Sequence, residues 1–227
     1  MPRNKHPEET IQKILDVSLK LFLEKGYEQT TILDIVDNLG GLTRGAFYHH
    51  FKSKEDVLNI LLDRSFAEND PFETVKGMKG ASGLEKVKMV FASSGNAKYP
   101  ELTRAALSLM RHPRFLAEQL KNSKDTAKML EPLLKEGMAD GSIRPGNAKH
   151  LSEIVMLLAN FWLIPSIFPS KDRAEFREKG LLIQQILDSL GLPAIDESIL
   201  GQIDVMADVM GIPSGRKSTK KSCGEKK

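Results

Sequence analysis

The segment 30–55, TTILDIVDNLGGLTRGAFYHHFKSKE, contains the starts of three closely spaced helices. Thr31, Thr43 and Ser53 are residue types whose side chains accept a hydrogen bond from a first-turn amide, so each favours a helix N-cap. The Gly40-Gly41 pair ends the first of these helices, because glycine adopts positive φ without steric cost. Two short helices joined by a glycine-bearing turn are typical of a helix-turn-helix unit, which places its second helix against DNA.

The second helix of this unit has two chemically distinct faces. Phe47 and Phe51 lie four residues apart and are expected to point into a small core. The other face carries Arg44, Gly45, Tyr48 and His49. An arginine can donate two hydrogen bonds to guanine, hydroxyl groups suit phosphate oxygens, and a glycine near the helix start allows close approach to DNA. These residues therefore predict a surface that reads DNA.

This stretch resembles the N-terminal domain of the TetR family, named for the tetracycline repressor, over roughly residues 9–60. The family spacing between the isoleucine of the first helix and the tyrosine of the second is one residue shorter than Ile35 to Tyr48, and we expect the Gly40-Gly41 turn to absorb the extra residue. The matching elements are Phe22–Tyr27, Thr30-Thr31, Asp34-Ile35, Leu42–Phe51 and Lys52–Glu55.

The resemblance implies a repressor that binds a pseudo-palindromic operator in double-stranded DNA as a homodimer and is released by a small-molecule effector. Lys54, in the first turn of the next helix, is also expected to add charge to a phosphate near that helix N-terminus. The positions that match DNA-facing residues of the family are Thr31, Thr43, Arg44, Gly45, Tyr48, His49 and Lys54.

The rest of the chain shows helical periodicity almost everywhere and no sustained strand pattern, so the sequence predicts an all-α fold. We expect further helices near 82–94, 100–111, 113–139, 147–168, 172–190 and 196–210, with the helix that begins at Ser53 ending before Pro71. The predicted organisation is a three-helix DNA-binding domain over 1–54, a larger helical effector-binding and dimerisation domain over 55–211, and a basic disordered tail over 212–227.

The helical body is rich in methionine and aromatic residues. Methionine adapts to irregular volumes, so these side chains suit a pocket for a largely hydrophobic effector, although each of them also suits an ordinary core. The candidate pocket residues are Met89, Phe91, Met110, Met129, Phe161 and Trp162.

The predicted helix 147–168 is apolar on nearly all sides, which indicates deep burial or a sealed interface. We expect it to form a four-helix interface with the next helix and their copies in a two-fold dimer. The candidate interface residues are Leu151, Val155, Leu158, Ile183, Ile186, Leu187 and Leu190.

The formal net charge of +3 says little about a DNA-binding face, because the chain from Ile212 onward holds six basic residues against one acid. The single cysteine, Cys223, excludes an intramolecular disulfide and favours a reducing cytoplasm. We see no signal-peptide pattern, and the longest near-apolar run, Ile154–Phe168, is shorter than the roughly 20 residues of a membrane span. The sequence predicts a cytoplasmic protein without a membrane partner.

Two alternatives differ from an effector-controlled repressor. A helical-bundle enzyme would need a catalytic constellation, yet the five histidines form no Glu-x-x-His pattern and the chain has no phosphate-binding glycine loop or nucleophile elbow. We therefore expect no catalytic residue, cofactor or metal. A DNA-binding regulator without a ligand remains open, because no residue pattern identifies the effector.

Overall fold

The computed structural model describes residues 7–68, 70–94, 99–110 and 113–215. These ranges form eleven α-helices and one π-helical segment and contain no strand, so the predicted all-α fold is confirmed. The helices are α1 (Pro7–Glu24), α2 (Ile32–Asp37), α3 (Arg44–His50), α4 (Lys54–Glu68), α5 (Pro71–Lys76), α6 (Gly83–Ser94), α7 (Pro100–Leu109), α8 (Pro113–Asp140), α9 (Ala148–Leu157), the π-helical segment (Leu158–Trp162), α10 (Arg173–Ser189) and α11 (Glu197–Val209).

Helices α1 to α4 enclose one hydrophobic cluster, here called the N-terminal cluster. Its fully buried members include Ile14 and Phe22 of α1, Ile35 of α2, Phe47 of α3 and Leu58 of α4. Burying side chains of this size removes about 1.5–3 kcal/mol each of unfavourable hydration, so the cluster stabilises four short elements that would not be stable alone. The predicted domain boundary at residue 54 stays a prediction, but α4 packs with the N-terminal helices.

The predicted caps of the helix-turn-helix unit are confirmed. The Asp34 amide donates to Thr31 Oγ1 (3.1 Å) while the Thr31 amide donates to Asp34 Oδ2 (2.7 Å), which is a capping box. The Ala46 amide donates to Thr43 Oγ1 (3.2 Å) and the Asp56 amide donates to Ser53 Oγ (3.2 Å). Each cap satisfies an amide that the helix leaves unpaired and so defines where α2, α3 and α4 begin.

The turn between α2 and α3 contains both glycines in left-handed conformations. Gly40 has φ 62° and Gly41 has φ 101°. Residues other than glycine rarely adopt these backbone angles, so the turn favours glycine at both positions. Both glycines therefore lie in the turn between α2, which ends at Asp37, and α3. That the pair absorbs one extra residue relative to the family stays a prediction.

The body has its own hydrophobic cluster, here called the body cluster, built by α5, α6 and α8 to α11. Helix α7 belongs to the other cluster, because its Leu102, Ala105 and Leu109 pack among the N-terminal helices. The same helix also reaches the body, since Arg104 Nε donates to the Val209 carbonyl at the end of α11 (3.0 Å). Helix α7 therefore contacts both halves of the molecule.

Two parts of the fold differ from the expectation. A short helix, α5, begins at Pro71, where the Asp70 side chain accepts from the Phe72 amide (2.8 Å). The predicted helix 147–168 keeps α-helical geometry only to Leu157, becomes π-helical and ends before Pro165. Asn160, within that segment, donates to the buried Ser123 Oγ of α8 (3.0 Å). A proline cannot supply an amide to continue a helix, which accounts for the early end.

None of the helices in the described part of the chain combines the length and the apolar character that crossing a bilayer requires.

Candidate nucleic-acid interface

Helix α3 is held by its inner face. Phe47 and Phe51 have exposed fractions of 0% and 3%. Their rings lie 5.8 Å apart between centroids and pack with the aromatic and aliphatic side chains of α1 and α4. Because both anchors are buried, the opposite face of α3 has a fixed orientation toward solvent.

The outer face presents the polar groups that the sequence predicted. Thr43, Arg44, Gly45 and His49 are exposed, and Tyr48 has an exposed fraction of 46%. The Tyr48 ring meets the buried Phe47 ring edge-on at 5.6 Å, which fixes the direction of the phenol. Arg44 Cζ lies 6.0 Å from the centre of the Tyr48 ring. A guanidinium and a phenol therefore stand side by side on one helix.

Gly45 is not required by the fold. Its φ is negative, and a β-carbon at this position would lie 3.6 Å from its nearest neighbour, Thr43 Oγ1, which is an ordinary contact. An alanine would fit here and would favour the helix. The absence of a side chain at an exposed position with free space is consistent with close approach by another molecule.

The two threonines differ in the hydroxyl proton that they can offer. Thr31 Oγ1 donates to Asp34 Oδ2 (2.7 Å), so its proton is already used inside the protein. Thr43 Oγ1 accepts from the Ala46 amide, and its proton has no acceptor among the described residues. Thr43 is therefore better placed than Thr31 to donate to a phosphate oxygen through its side chain.

Asp34 also receives a cation that the sequence analysis missed. Lys25 Nζ lies 2.8 Å from Asp34 Oδ2. The Lys25 ammonium and the two hydrogen bonds from Thr31 hold the pKa of Asp34 well below its usual range. No spacing rule for a single helix finds this pair, because Lys25 follows α1 and Asp34 lies on α2.

Lys54 departs from the expectation. We expected its ammonium to be free for a phosphate, but Lys54 Nζ donates to the carbonyls of Tyr27 (2.7 Å) and Thr30 (3.0 Å). It also lies 4.1 Å from the centre of the Tyr27 ring. Burial lowers the pKa of Lys54, and the carboxylates of Glu28 and Glu55 oppose that effect.

The two open clefts beside the loop 77–82 do not bring the candidate pocket residues together. Phe91 and Trp162 pack partly buried against the body cluster, whereas Met89 and Met129 have exposed fractions of 39% and 38%. Met110 and Phe161 are half-buried. Of the six candidates, Met89 alone lines one of the two open clefts beside the loop 77–82. Their role as an effector site stays a prediction.

The candidate interface residues need a correction. Leu151, Val155, Ile183 and Leu187 are buried in the body cluster of their own chain, so they are not available to a second copy. Leu158 and Ile186 are half-buried, and Leu190 is exposed. Exposed leucines and an isoleucine lie on the adjacent stripes of the same helices instead: Ile154, Leu157, Leu181 and Leu182. The apolar periodicity located the helices but not the stripe that faces outward.

Of the predicted tail over 212–227, the part from residue 216 on, with Cys223, lies outside the described residues. Ile212 does not belong to a disordered tail, because its side chain is buried in the body cluster.

Comparisons with known proteins match this arrangement. Residues 14–60 match the family model described as bacterial regulatory proteins, tetR family. The HTH-type transcriptional repressor KstR2 of Mycolicibacterium smegmatis is 34% identical over 143 residues, which cover 59% of this chain and 67% of that protein.

Solved structures share the fold. A transcriptional regulator of the TetR/AcrR family from Thermobifida fusca has a TM-score of 0.55 and 24% identity, covering 81% of this chain and 97% of that one. A TetR-family regulator from Pectobacterium atrosepticum has a TM-score of 0.59 and 18% identity, covering 84% and 98%. The helical body therefore has the same overall architecture as solved regulators, beyond the N-terminal segment.

Proposed function

This chain belongs to the TetR family of bacterial regulatory proteins and is a DNA-binding transcriptional regulator. We propose that the outer face of α3 reads the operator in the major groove. The observation that carries the proposal is the pairing of faces on this helix. Phe47 and Phe51 are buried in the N-terminal cluster, while Arg44 and Tyr48 are exposed beside each other.

Each exposed group has a distinct role in this proposal. Arg44 donates to a base edge, because a guanidinium can engage guanine O6 and N7 together. Tyr48 and Thr43 donate hydroxyl hydrogen bonds to phosphate oxygens, which positions the helix without carrying sequence information. Gly45 lets the backbone of α3 approach the DNA. Thr31 and His49 are both exposed, and in this proposal they add further contacts with the DNA.

We propose that the regulator is a repressor that binds as a two-fold dimer. The mycobacterial relatives carry the name of a repressor. In a two-fold dimer, two copies of α3 meet two half-sites, so the operator repeats its sequence with inverted symmetry. Exposed apolar residues of α9, of α10 and of the position that caps α10 provide a surface for the second copy: Ile154, Leu157, Leu182 and Leu190.

We propose that a small molecule in the body controls DNA binding through α7. Leu102, Ala105 and Leu109 of this helix are buried among α1 to α4, while Arg104 is bonded to the end of α11. A rearrangement of the body that moves α7 must therefore disturb the packing of the DNA-binding helices. The effector has to bind the displaced state more tightly than the DNA-competent state, because equal affinity shifts nothing.

The test begins with duplexes enriched from a random-sequence pool by the wild-type protein. Enrichment of inverted repeats supports a two-fold reader. Arg44→Ala is expected to relax the preference at one base pair of each half-site. Tyr48→Phe is expected to weaken binding to all sequences and to leave the salt slope unchanged, because a neutral hydroxyl releases no counterion from a phosphate.

Lys149→Ala removes an exposed cation on α9 of the body and serves as the control. Its binding is expected to equal that of the wild type. Failure of the wild-type protein to enrich any sequence, or an Arg44→Ala variant that retains the full base preference, would contradict the assigned reading of DNA.

A further inference from the structure

Lys54 stands at the start of α4, but its ammonium serves a distant turn. Its two carbonyl partners, Tyr27 and Thr30, precede it by 27 and 24 residues. The Tyr27 ring approaches the same ammonium at 4.1 Å. A lysine ammonium has three donors, and two of them already point at carbonyls while an aromatic ring occupies a further side.

The turn that receives Lys54 is closed by its own hydrogen bonds. The Thr30 amide donates to the Tyr27 carbonyl (3.2 Å), and Thr30 Oγ1 donates to the Gly26 carbonyl (2.8 Å). The turn follows directly after α1, whose carbonyl end carries partial negative charge. Carbonyl oxygens that converge at this end form a favourable place for a cation.

The position of Lys54 in its own helix is unfavourable by comparison. A cation in the first turn opposes the helix dipole, which favours acids there. Lys54 is nevertheless the first residue of α4 and is followed by Glu55 and Asp56, which suit the dipole. The hydrogen bonds from Lys54 to the turn after α1 offset this unfavourable interaction with the helix dipole. These hydrogen bonds therefore explain why a lysine is found at the start of α4.

We propose that Lys54 is a positioning residue that ties the start of α4 to the turn between α1 and α2, and that it does not neutralise a phosphate. The inference rests on the proposed reading of DNA by α3. Helix α2 begins at Ile32, directly after this turn, and α4 begins three residues after Phe51, which anchors the end of α3. The tie therefore fixes α2, α3 and α4 relative to one another.

The experiment compares Lys54→Gln and Lys54→Arg with Lys52→Gln, which removes an exposed lysine next to the same helix start. Binding is measured as a function of salt with a duplex enriched by the wild-type protein. Both Lys54 variants are expected to bind about tenfold more weakly or worse, since the Tyr27 and Thr30 carbonyls lose the ammonium and the Tyr27 carbonyl retains only its bond from the Thr30 amide among those described above. The salt slope of both is expected to equal that of the wild type.

Lys54→Arg is the decisive variant for charge. It retains the positive charge, so a phosphate contact would survive or strengthen. A planar guanidinium on a longer stem does not reproduce a point ammonium between two carbonyls, so positioning would be lost. Wild-type affinity for Lys54→Arg, or a salt slope that falls by about one in Lys54→Gln, would overturn the proposal.

A second measurement does not depend on DNA. Hydrogen exchange of the Thr30 amide in the free protein reports on the turn itself, and Lys54→Gln is expected to accelerate it while Lys52→Gln leaves it unchanged. Unchanged exchange in Lys54→Gln would overturn the proposal. If the wild-type protein enriches no duplex, the proposed function fails, and this exchange measurement still decides the role of Lys54.

Discussion

Gly45→Ala separates the needs of the fold from the needs of DNA binding. Gly45 is the second residue of α3, it is exposed, and its φ lies outside the left-handed region. A β-carbon there would meet only Thr43 Oγ1, at 3.6 Å. The substitution is therefore expected to leave the structure of the free protein unchanged.

Gly45→Ala is expected to raise the stability of the free protein and to lower its affinity for DNA. Alanine in place of glycine raises helix stability by about 0.5–1 kcal/mol in a helix interior, and less in a first turn. On DNA, the added methyl group separates the backbone of α3 from the groove and displaces Arg44 and Tyr48 beside it. Loss of one good base contact costs about 1–3 kcal/mol in each half-site. Two half-sites therefore predict a loss of at least about 30-fold in affinity.

The assay pairs thermal unfolding with operator binding by fluorescence anisotropy, using a duplex enriched by the wild-type protein. Gly201→Ala is the matched control, because Gly201 is an exposed helical glycine of α11 whose β-carbon would have no neighbour within 4 Å. It is expected to raise stability without changing DNA affinity. If Gly45→Ala binds the duplex as tightly as Gly201→Ala, the backbone of α3 does not approach DNA at this position and the reasoning is refuted.

Two further predictions concern the cap of α2 and the dimer. The pKa of Asp34 is lowered in the folded state, so the Asp34 carboxylate stabilises the folded protein above the ordinary pKa of 3.8, and this stabilisation disappears as pH falls below that value. The difference in Tm between wild type and Asp34→Asn is therefore expected to be full at pH 6 and to shrink below pH 3.8. A difference in Tm that stays constant with pH would contradict this. Leu157→Glu is expected to convert a dimer into a 25.3 kDa monomer in light scattering, while Leu33→Glu, an equally exposed leucine on α2, leaves the dimer intact; a wild-type monomer at micromolar concentration would refute the interface.

The helix-turn-helix unit was predictable because its determinants are local. Thr31 and Thr43 cap the helices that follow them, and the Gly40-Gly41 pair forms the turn. Capping acts over three residues and positive φ is a property of one residue, so a single sequence contains both signals. The two faces of α3 followed from helical periodicity in the same way.

Helix α9 shows where periodicity stops being sufficient. Leu151 and Val155 are buried while Ile154 and Leu157 are exposed, although all four are apolar. The exposed side of α9 also carries Lys149, His150 and Glu153, so apolar and polar residues share that side and the apolar pattern alone does not separate buried from exposed positions. The rotation of α9 is decided by packing against α8 and the other helices of the body, which no local pattern specifies.

The sequence by itself determined where the helices of the DNA-binding unit begin and which side of α3 faces outward. The tertiary structure alone decided what that unit is attached to: Lys54 reaches back to the carbonyls of Tyr27 and Thr30, and α7 joins the N-terminal cluster. Caps and periodicity are short-range properties of the chain. Contacts between residues far apart in sequence depend on how the helices pack, and only folding brings those residues together.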